Sequence, residues 1–250
     1  MIELQKLSAG YGKHIVLEDV SLRFEKGSLT SIIGINGCGK STLLKAMLGL
    51  LPAQSGEIIL DQTPLSSMTR SEIARKIAYL SQGKTTPDMT VEQMVLHGRF
   101  PHLSYPRRYS KQDHAIALTA MKQLGIASYT SQSLPTLSGG MRQNAYIAMA
   151  LAQGTDCILL DEPTTYLDIA HQLDLMKTLR RLADSGKSII TVMHDLPMAF
   201  NFSDQIVLLH DGHVICSDSP SHVYAENRLE SIFHVSLAHS VNDHTYHYIY

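Results

Sequence analysis

Apolar and polar residues alternate over two short stretches near the start of the chain, residues 2–5 and 21–24. An alternation of this kind is typical of strands that bury one face. Mostly apolar runs, which are typical of strands buried on both faces of a parallel sheet, follow at residues 29–33, 77–80, 157–160 and 188–192. The pattern therefore predicts an α/β fold with a mostly parallel sheet.

A helical pattern occupies the middle of the chain. Its apolar positions include Ala117, Leu118, Met121 and Leu124, which repeat with helical spacing. Residues 41–50 also predict a helix, which begins directly after a glycine-rich loop. Because no internal repeat or linker is evident, we expect a single domain over residues 1–250. A helical subdomain at approximately 90–153 is expected to lie between two strands of its sheet.

Composition excludes several broad classes of protein. The 250 residues are 44% hydrophobic and 18% charged, a globular balance, and the net charge is −2, which gives no bulk attraction to nucleic acid or to an acidic membrane. No apolar run reaches the roughly 18–20 residues of a membrane-spanning helix, and the first residues do not resemble a secretory signal. Three scattered cysteines offer no disulfide framework. We expect a cytoplasmic protein that reaches a membrane only through a partner and does not bind nucleic acid.

The strongest chemical signal is the sequence Gly-Ile-Asn-Gly-Cys-Gly-Lys-Ser at residues 34–41. It matches G-x-x-x-x-G-K-[ST] and stands between a predicted strand and a predicted helix, the context of a P-loop that binds nucleotide phosphates. Backbone N–H groups and the helix N-terminus would surround the phosphates, Lys40 would reach the β- and γ-phosphates, and Ser41 would ligate Mg²⁺. The predicted phosphate site comprises Gly34, Asn36, Gly37, Cys38, Gly39, Lys40, Ser41 and Thr42.

Two carboxylates follow the apolar run 157–160, namely Asp161 and Glu162. Ligands of α/β sheets bind at the carboxyl ends of the strands, so these side chains are expected to face the nucleotide. Asp161 would hold Mg²⁺ through water, and Glu162 would polarise the attacking water. On its own an acidic strand end often has no role, but the P-loop in the same chain favours the functional interpretation.

A third motif, Leu-Ser-Gly-Gly at residues 137–140, lies between these two. A serine and two glycines at a helix start can form a further anion cradle. The order of the three motifs resembles the nucleotide-binding subunits of ABC transporters over nearly the whole chain. The resemblance implies an α/β P-loop NTPase of the ABC cassette type, with a mostly parallel core sheet, an N-terminal antiparallel β part and a helical subdomain.

The resemblance also implies an assembly. In that family Ser138, Gly139 and Gly140 would belong to a signature loop that contacts the γ-phosphate bound by the opposite subunit. Two copies of the chain are then expected to form a head-to-tail dimer with two ATP molecules between them. Without the resemblance, a simple helix N-cap would be the commoner role for Ser138.

Four further positions match the family one at a time. Tyr11 lies where an aromatic ring stacks on adenine; the alternative is an ordinary core or surface tyrosine. Gln82 resembles the glutamine that senses Mg²⁺ and the attacking water. Asp168 resembles the loop aspartate at the dimer interface, although it could be only a helix N-cap. His194, at a strand end, resembles the switch histidine that hydrogen-bonds the γ-phosphate.

Three segments, residues 90–92, 98–102 and 164–168, resemble the subgroup that energises uptake of iron-siderophore, haem or cobalamin complexes. The implied protein is an ATPase on the cytoplasmic face of the cell membrane, bound to permease subunits and served indirectly by a substrate-binding protein. The alternatives are an importer ATPase for another metal or an oxyanion, an exporter ATPase, a soluble ABC ATPase of repair or translation, and a P-loop kinase.

The sequence also departs from the family pattern. Met141 stands where glutamine is common and Asn144 where arginine is common, so both are expected to affect dimer contacts. Cys38, beside a helix N-terminus, is expected to have a lowered pKa and to be covered by bound MgATP; the alternative is a small filler residue that is inaccessible and inert. A histidine-rich tail is expected to be solvated rather than to bind a metal; it carries His234, His239, His244 and His247.

Overall fold

The computed structural model describes residues 1–82, 86–240 and 245–249. The strands are β1 Ile2–Tyr11, β2 His14–Phe24, β3 Leu29–Ile33, β4 Ala53–Leu60, β5 Thr63–Pro64, β6 Ile77–Leu80, β7 Cys157–Asp161, β8 Ser188–Val192, β9 Gln205–His210, β10 His213–Asp218, β11 Ser236–Ser240 and β12 Thr245–Ile249. The helices are α1 Lys40–Met47, α2 Arg70–Lys76, α3 Val91–His97, α4 Lys111–Gln123, α5 Gly139–Ala152, α6 Ile169–Asp184, α7 Leu196–Phe202, α8 Pro220–Ala225 and α9 Leu229–Phe233.

A six-stranded sheet in the order β10-β9-β3-β8-β7-β6 forms the centre of the molecule. Its strands run parallel except β10, which pairs with β9 in the antiparallel sense. Strands β3, β7 and β8 are buried along their whole length. The predicted mostly parallel sheet is therefore confirmed. Its topology brings the carboxyl ends of β3, β6, β7 and β8 to one edge.

A second, antiparallel sheet is built from the N-terminal strands in the order β2-β1-β4-β5. Its apolar face packs with α1 and the central sheet in one cluster that includes Phe24, Leu43 and Val192. The antiparallel N-terminal part of the expected architecture is confirmed. Helix α1 ends at Met47 rather than at residue 50, because the N–H of Leu50 turns back to the carbonyl of Lys45 at 2.9 Å.

Helices α3, α4 and α5 lie between β6 and β7 and pack on one another. The helical spacing in α4 is confirmed for Ala117 and Met121, which are buried, whereas Leu118 is 40% exposed and lies outside the apolar face. A nearly buried ion pair links the segment after α3 to α4, with 2.9 Å between Arg99 Nε and Asp113 Oδ1. The division into one domain with a subdomain at about 90–153 stays a prediction.

The histidine-rich tail is ordered as a hairpin; His234 and His247 are exposed, in line with the expected solvation, whereas His239 is partly buried. Strands β11 and β12 form a hairpin that packs on α7. The side chain of Asn201 accepts a hydrogen bond from the N–H of Tyr246 at 2.7 Å and donates to its carbonyl at 2.9 Å. Tyr246 is buried and stacks on His239, with 4.5 Å between the ring centroids. Aromatic packing and backbone pairing thus order the segment.

The histidines of this hairpin form no metal centre within the described ranges, where no group of three potential ligands occurs. His244 lies outside the described residues.

Among the helices of residues 1–82, 86–240 and 245–249, none combines the length and the apolarity that a bilayer crossing requires.

Candidate functional site

The predicted P-loop connects β3 to α1. Gly39 adopts a φ of 109°, which L side chains rarely adopt, and forms the N-cap of α1. Asn36 and Gly37 are exposed on the outer side of the loop, whereas Gly34 and Thr42 are buried. The loop thus presents backbone N–H groups and a helix N-terminus at the carboxyl edge of the sheet, an arrangement suited to an anion.

The Lys40 side chain lies along the inside of this loop and is 6% exposed. Its Nζ donates hydrogen bonds to the carbonyls of Gly34 and Ile35, at 2.7 and 3.0 Å. These two acceptors satisfy a cation that burial would otherwise penalise. Lys40 is therefore held within the loop, close to where phosphate oxygens are expected.

Cys38 differs from expectation. Its side chain is 3% exposed and belongs to the apolar cluster under the loop. Burial raises the pKa of the thiol, and this outweighs the nearby Lys40 charge, which lowers it. The predicted low-pKa, nucleotide-covered thiolate is therefore wrong. Only the backbone of Cys38 can take part in phosphate binding.

Asp161 ends β7 and is almost fully buried. Its Oδ2 accepts a hydrogen bond from the Tyr79 hydroxyl at 3.4 Å, and its buried Oδ1 has no hydrogen-bond partner. Burial raises the pKa of this carboxyl, the neighbouring Glu162 charge raises it further, and a hydrogen bond from Ser41 lowers it. Burial and the Asp161 charge also raise the pKa of Tyr79 to about 12. An unpaired carboxylate oxygen beside a serine hydroxyl is a donor set that suits a hard cation such as Mg²⁺.

Glu162 is the point at which the three predicted catalytic side chains meet. The amide of Gln82 donates to Oε2, the His194 ring contacts Oε1 through Nε2, and the hydroxyl of Thr165 donates to Oε2 at 3.3 Å. These groups follow three neighbouring strands, β6, β7 and β8. Glu162 also has a φ of 51°, a left-handed conformation that is strained for a residue with a Cβ and that is typical of functional turns.

Tyr11 lies at the end of β1 and is 49% exposed. Its hydroxyl accepts a hydrogen bond from Lys45 Nζ at 3.2 Å, which lowers the pKa of the phenol. The ammonium also lies 5.6 Å from the ring centroid. Because Lys45 belongs to α1, this contact places the half-exposed tyrosine beside the P-loop helix.

The signature loop, residues 137–140, runs into α5, whose first two residues are Gly139 and Gly140. Ser138 caps the helix, with its hydroxyl accepting from the N–H of Met141 at 3.3 Å. Gly139 lines a cavity of about 320 Å³ together with Gln82 and Glu162. Within the described part of the chain, no hydrogen bond or ion pair joins this loop to residues 34–42.

The two departures from the family pattern lie on α5. Asn144 donates to the carbonyl of Leu124 at 3.3 Å, so its side chain caps the end of α4 and is turned inward. Met141 packs partly against the core. The effect expected of both on dimer contacts stays a prediction.

Asp168 caps α6 and accepts hydrogen bonds from the backbone N–H of His171 at 2.9 Å and from its ring Nδ1 at 2.8 Å. These bonds, the backbone one first, lower the pKa of the Asp168 carboxyl. Sequence reasoning predicted Asp168 but missed its partner His171. A histidine three residues after a capping aspartate was the available signal.

Sequence reasoning also missed three residues that support the site, namely Tyr79, Thr165 and Gln143. The Gln143 amide donates to the carbonyl of Pro163 at 2.9 Å and so ties α5 to the segment after Glu162. Tyr79 stands shortly before Gln82, and Thr165 stands shortly after Glu162. Neither residue belongs to a motif that indicates chemistry by itself. Their roles depend on contacts between distant segments.

Comparison with known proteins agrees with this geometry. The sequence profile of the ABC transporter family matches residues 17–165, more than half of the chain. The petrobactin import ATP-binding protein of Bacillus anthracis is 39% identical, over 93% of this chain and 86% of its own length. The ferric enterobactin transport ATP-binding protein of Escherichia coli is 40% identical, over 92% and 85%. A manganese transport system ATP-binding protein of Listeria innocua is 38% identical, over 84% and 86%.

Solved structures give the same result. A putative metal-chelate type ABC transporter in an inward-facing conformation matches with a TM-score of 0.86 and 25% identity, over 99% of this chain and 96% of that one. A dimeric bacterial ABC transporter cassette matches with a TM-score of 0.75 and 28% identity, over 88% and 99%. The resemblance inferred from the three motifs is thereby confirmed, and this chain belongs to the ABC transporter family as an ATP-binding subunit.

Proposed function

We propose that this chain hydrolyses ATP to drive an importer of iron-siderophore complexes, and that its site residues act in the roles the motifs imply. The observation that carries the proposal is the convergence of Gln82 and His194 on the Glu162 carboxylate, at the same sheet edge as the P-loop. The substrate class is supported by two relatives named for petrobactin import and ferric enterobactin transport.

ATP would bind along the P-loop. Residues 34–42 supply backbone N–H groups, Lys40 would exchange its carbonyl partners for β- and γ-phosphate oxygens, and Tyr11 would stack on the adenine. The carbonyls already accept charge-assisted hydrogen bonds from this ammonium, and a phosphate oxygen would add its own negative charge, which favours the exchange.

Mg²⁺ fits the donors on the other side of the phosphates. The hydroxyl of Ser41 and the unpaired Oδ1 of Asp161 would hold it, directly or through water, with Gln82 as a further oxygen donor. When bound, the ion neutralises the charge that develops on the transferring phosphoryl group. The other oxygen of the buried Asp161 carboxylate accepts the hydrogen bond from the Tyr79 hydroxyl.

Hydrolysis would require a water molecule near Glu162. The carboxylate would accept a proton from that water, while His194 would hydrogen-bond the γ-phosphate and Gln82 would orient the water. Thr165 holds one carboxylate oxygen in place. The chain's contribution is mainly positioning and charge stabilisation.

A second copy of the chain would complete the site. Among the described residues, no hydrogen bond joins Ser138, Gly139, Gly140 or Asp168 to residues 34–42, and the family resemblance implies a head-to-tail dimer in which they would reach the partner's nucleotide. The subunit would bind integral membrane permease subunits on the cytoplasmic face of the cell membrane, and a substrate-binding protein would act with it indirectly.

Uptake assays in a host strain that lacks the corresponding ATPase would test the proposal. The chain and its permease are expressed together, and uptake of ferric siderophore, haem, cobalamin and Mn²⁺ is measured separately. We expect ATP-dependent uptake of a ferric siderophore, and none with a Glu162→Gln control. ATP hydrolysis with uptake of Mn²⁺ alone would move the chain to a metal importer, and ATP hydrolysis without binding to any permease would contradict the transport role.

A further inference from the structure

His171 connects two loops that come from distant parts of the sequence. It lies in the first turn of α6, three residues after Asp168, and its ring lies against Gly140 of the signature loop. The ring is held from one side by Asp168 and contacts the loop backbone on the other.

The aspartate fixes the orientation of the ring. Asp168 accepts both from the N–H of His171 and from its Nδ1, and an ionised carboxylate can only accept, so Nδ1 carries the proton. The two bonds close a short ring between the side chain and the first turn of the helix. The imidazole therefore has little freedom to turn away.

Gly140 shows how closely the ring and the loop approach. A Cβ added at Gly140 would lie 2.1 Å from Cδ2 and 2.8 Å from Nε2 of His171. Gly140 lies in α5 and does not have a positive φ, so any residue could adopt its backbone conformation. The space taken by the histidine, rather than backbone strain, disfavours a side chain at this position, because a Cβ would force the imidazole to move.

We propose that His171 is a positioning residue that couples the Asp168 loop, residues 164–168, to the signature loop. This inference rests on the proposed function, in which both loops reach the partner's nucleotide. With the imidazole clamped between them, neither loop can shift without moving the other, so the two loops engage that nucleotide as one unit. The residue itself touches no nucleotide in this scheme.

Substitution at position 171 separates this role from simple packing. His171→Ala removes both the hydrogen bond and the ring, and His171→Phe keeps a ring of similar shape without the bond to Asp168. Because a misplacement of about 1 Å can cost up to about 100-fold in rate, we expect kcat to fall on the order of tenfold in both variants. ATP affinity of the isolated chain is expected to stay unchanged, because residues 34–42 are untouched.

A matched control is available at His222, which pairs with Asp218 near the start of α8 at 3.1 Å. It is an exposed histidine–aspartate pair of the same type, outside the proposed site. His222→Ala is expected to leave kcat and ATP affinity at the wild-type values. Circular dichroism and melting temperature are measured for every variant.

A double-mutant cycle provides the decisive test. Gly140→Ala is expected to lower kcat strongly in the wild-type background, and adding His171→Ala is expected to restore part of that loss because the clash disappears. The inference is overturned if the two effects multiply independently, or if His171→Ala or His171→Phe retains wild-type kcat. A wild-type protein without ATPase activity would instead refute the proposed function, which distinguishes the two failures.

Discussion

Replacing Glu162 by glutamine changes one atom of the side chain and removes one charge. Oε2 of Glu162 accepts from both Gln82 and Thr165, whereas Oε1 faces Nε2 of His194. The amide of glutamine matches this pattern, because its oxygen can take the two donors and its NH₂ can donate to an unprotonated Nε2. The variant is therefore expected to fold with nearly wild-type stability.

The chemical step is expected to lose most of its rate. An amide cannot take a proton from water, and general base catalysis is typically worth about 100- to 10,000-fold. At about 1.36 kcal/mol per decade, the barrier would rise by roughly 2.7–5.4 kcal/mol. ATP binding is expected to change less than about twofold, because the Lys40 contacts involve only the P-loop.

Steady-state phosphate release and ATP titration measure the two effects separately. Gel filtration with MgATP adds a third readout, because uncleaved nucleotide is expected to hold the dimer closed. A Glu162→Gln protein that hydrolyses ATP at the wild-type rate would refute the role of Glu162. An equally large loss of ATP affinity would show instead that the substitution disturbs the phosphate site.

Three further predictions concern single side chains. Lys40→Ala removes a charge worth about 1.5–3 kcal/mol in hydrogen bonding, so calorimetry is expected to show roughly 10- to 100-fold weaker ATP binding, and unchanged affinity would contradict the assignment. Because burial raises the pKa of Cys38, maleimide is expected to label this thiol slowly at neutral pH, with or without MgATP. Mass spectrometry of the labelled peptide measures the rate, and rapid labelling that MgATP slows would contradict this prediction. Hydrogen bonds from Ser110 and Arg99 lower the pKa of Asp113 from 3.8 to about 2, so its contribution to the free energy of unfolding is present above about pH 4 and lost as the pH falls toward 2. Asp113→Asn is expected to flatten that acid dependence in denaturation curves, and an unchanged slope would contradict it.

The features that could be predicted from the sequence are those that short segments determine. The P-loop is one continuous stretch, and the strand before Asp161 is a run of buried apolar residues. Their spacing alone predicts an anion site beside carboxylates at the edge of a parallel sheet. Gln82 and His194 were predicted from the resemblance to a family, because no local pattern shows that three strand ends meet.

The remaining features depend on packing between distant segments. Motif position predicted an exposed, acidic thiol at Cys38, but the side chain turns into the core and burial outweighs the charge of Lys40. Irregular histidine spacing predicted a solvated tail, although Asn201 and the aromatic residues around Tyr246 order it as a hairpin. Neither contact leaves a periodic signal in the sequence.

The two loop carbonyls that accept hydrogen bonds from Lys40 compete with a phosphate for the same ammonium group. In the proposed site, a phosphate would bond to the ammonium only by displacing the carbonyls of Gly34 and Ile35, so the net affinity would be a difference between two sets of charge-assisted hydrogen bonds. The same carbonyls can take the ammonium back when phosphate leaves, which spares the protein an unpaired buried cation. The exchange would therefore lower the net affinity for phosphate and offset part of the free energy lost when the product leaves.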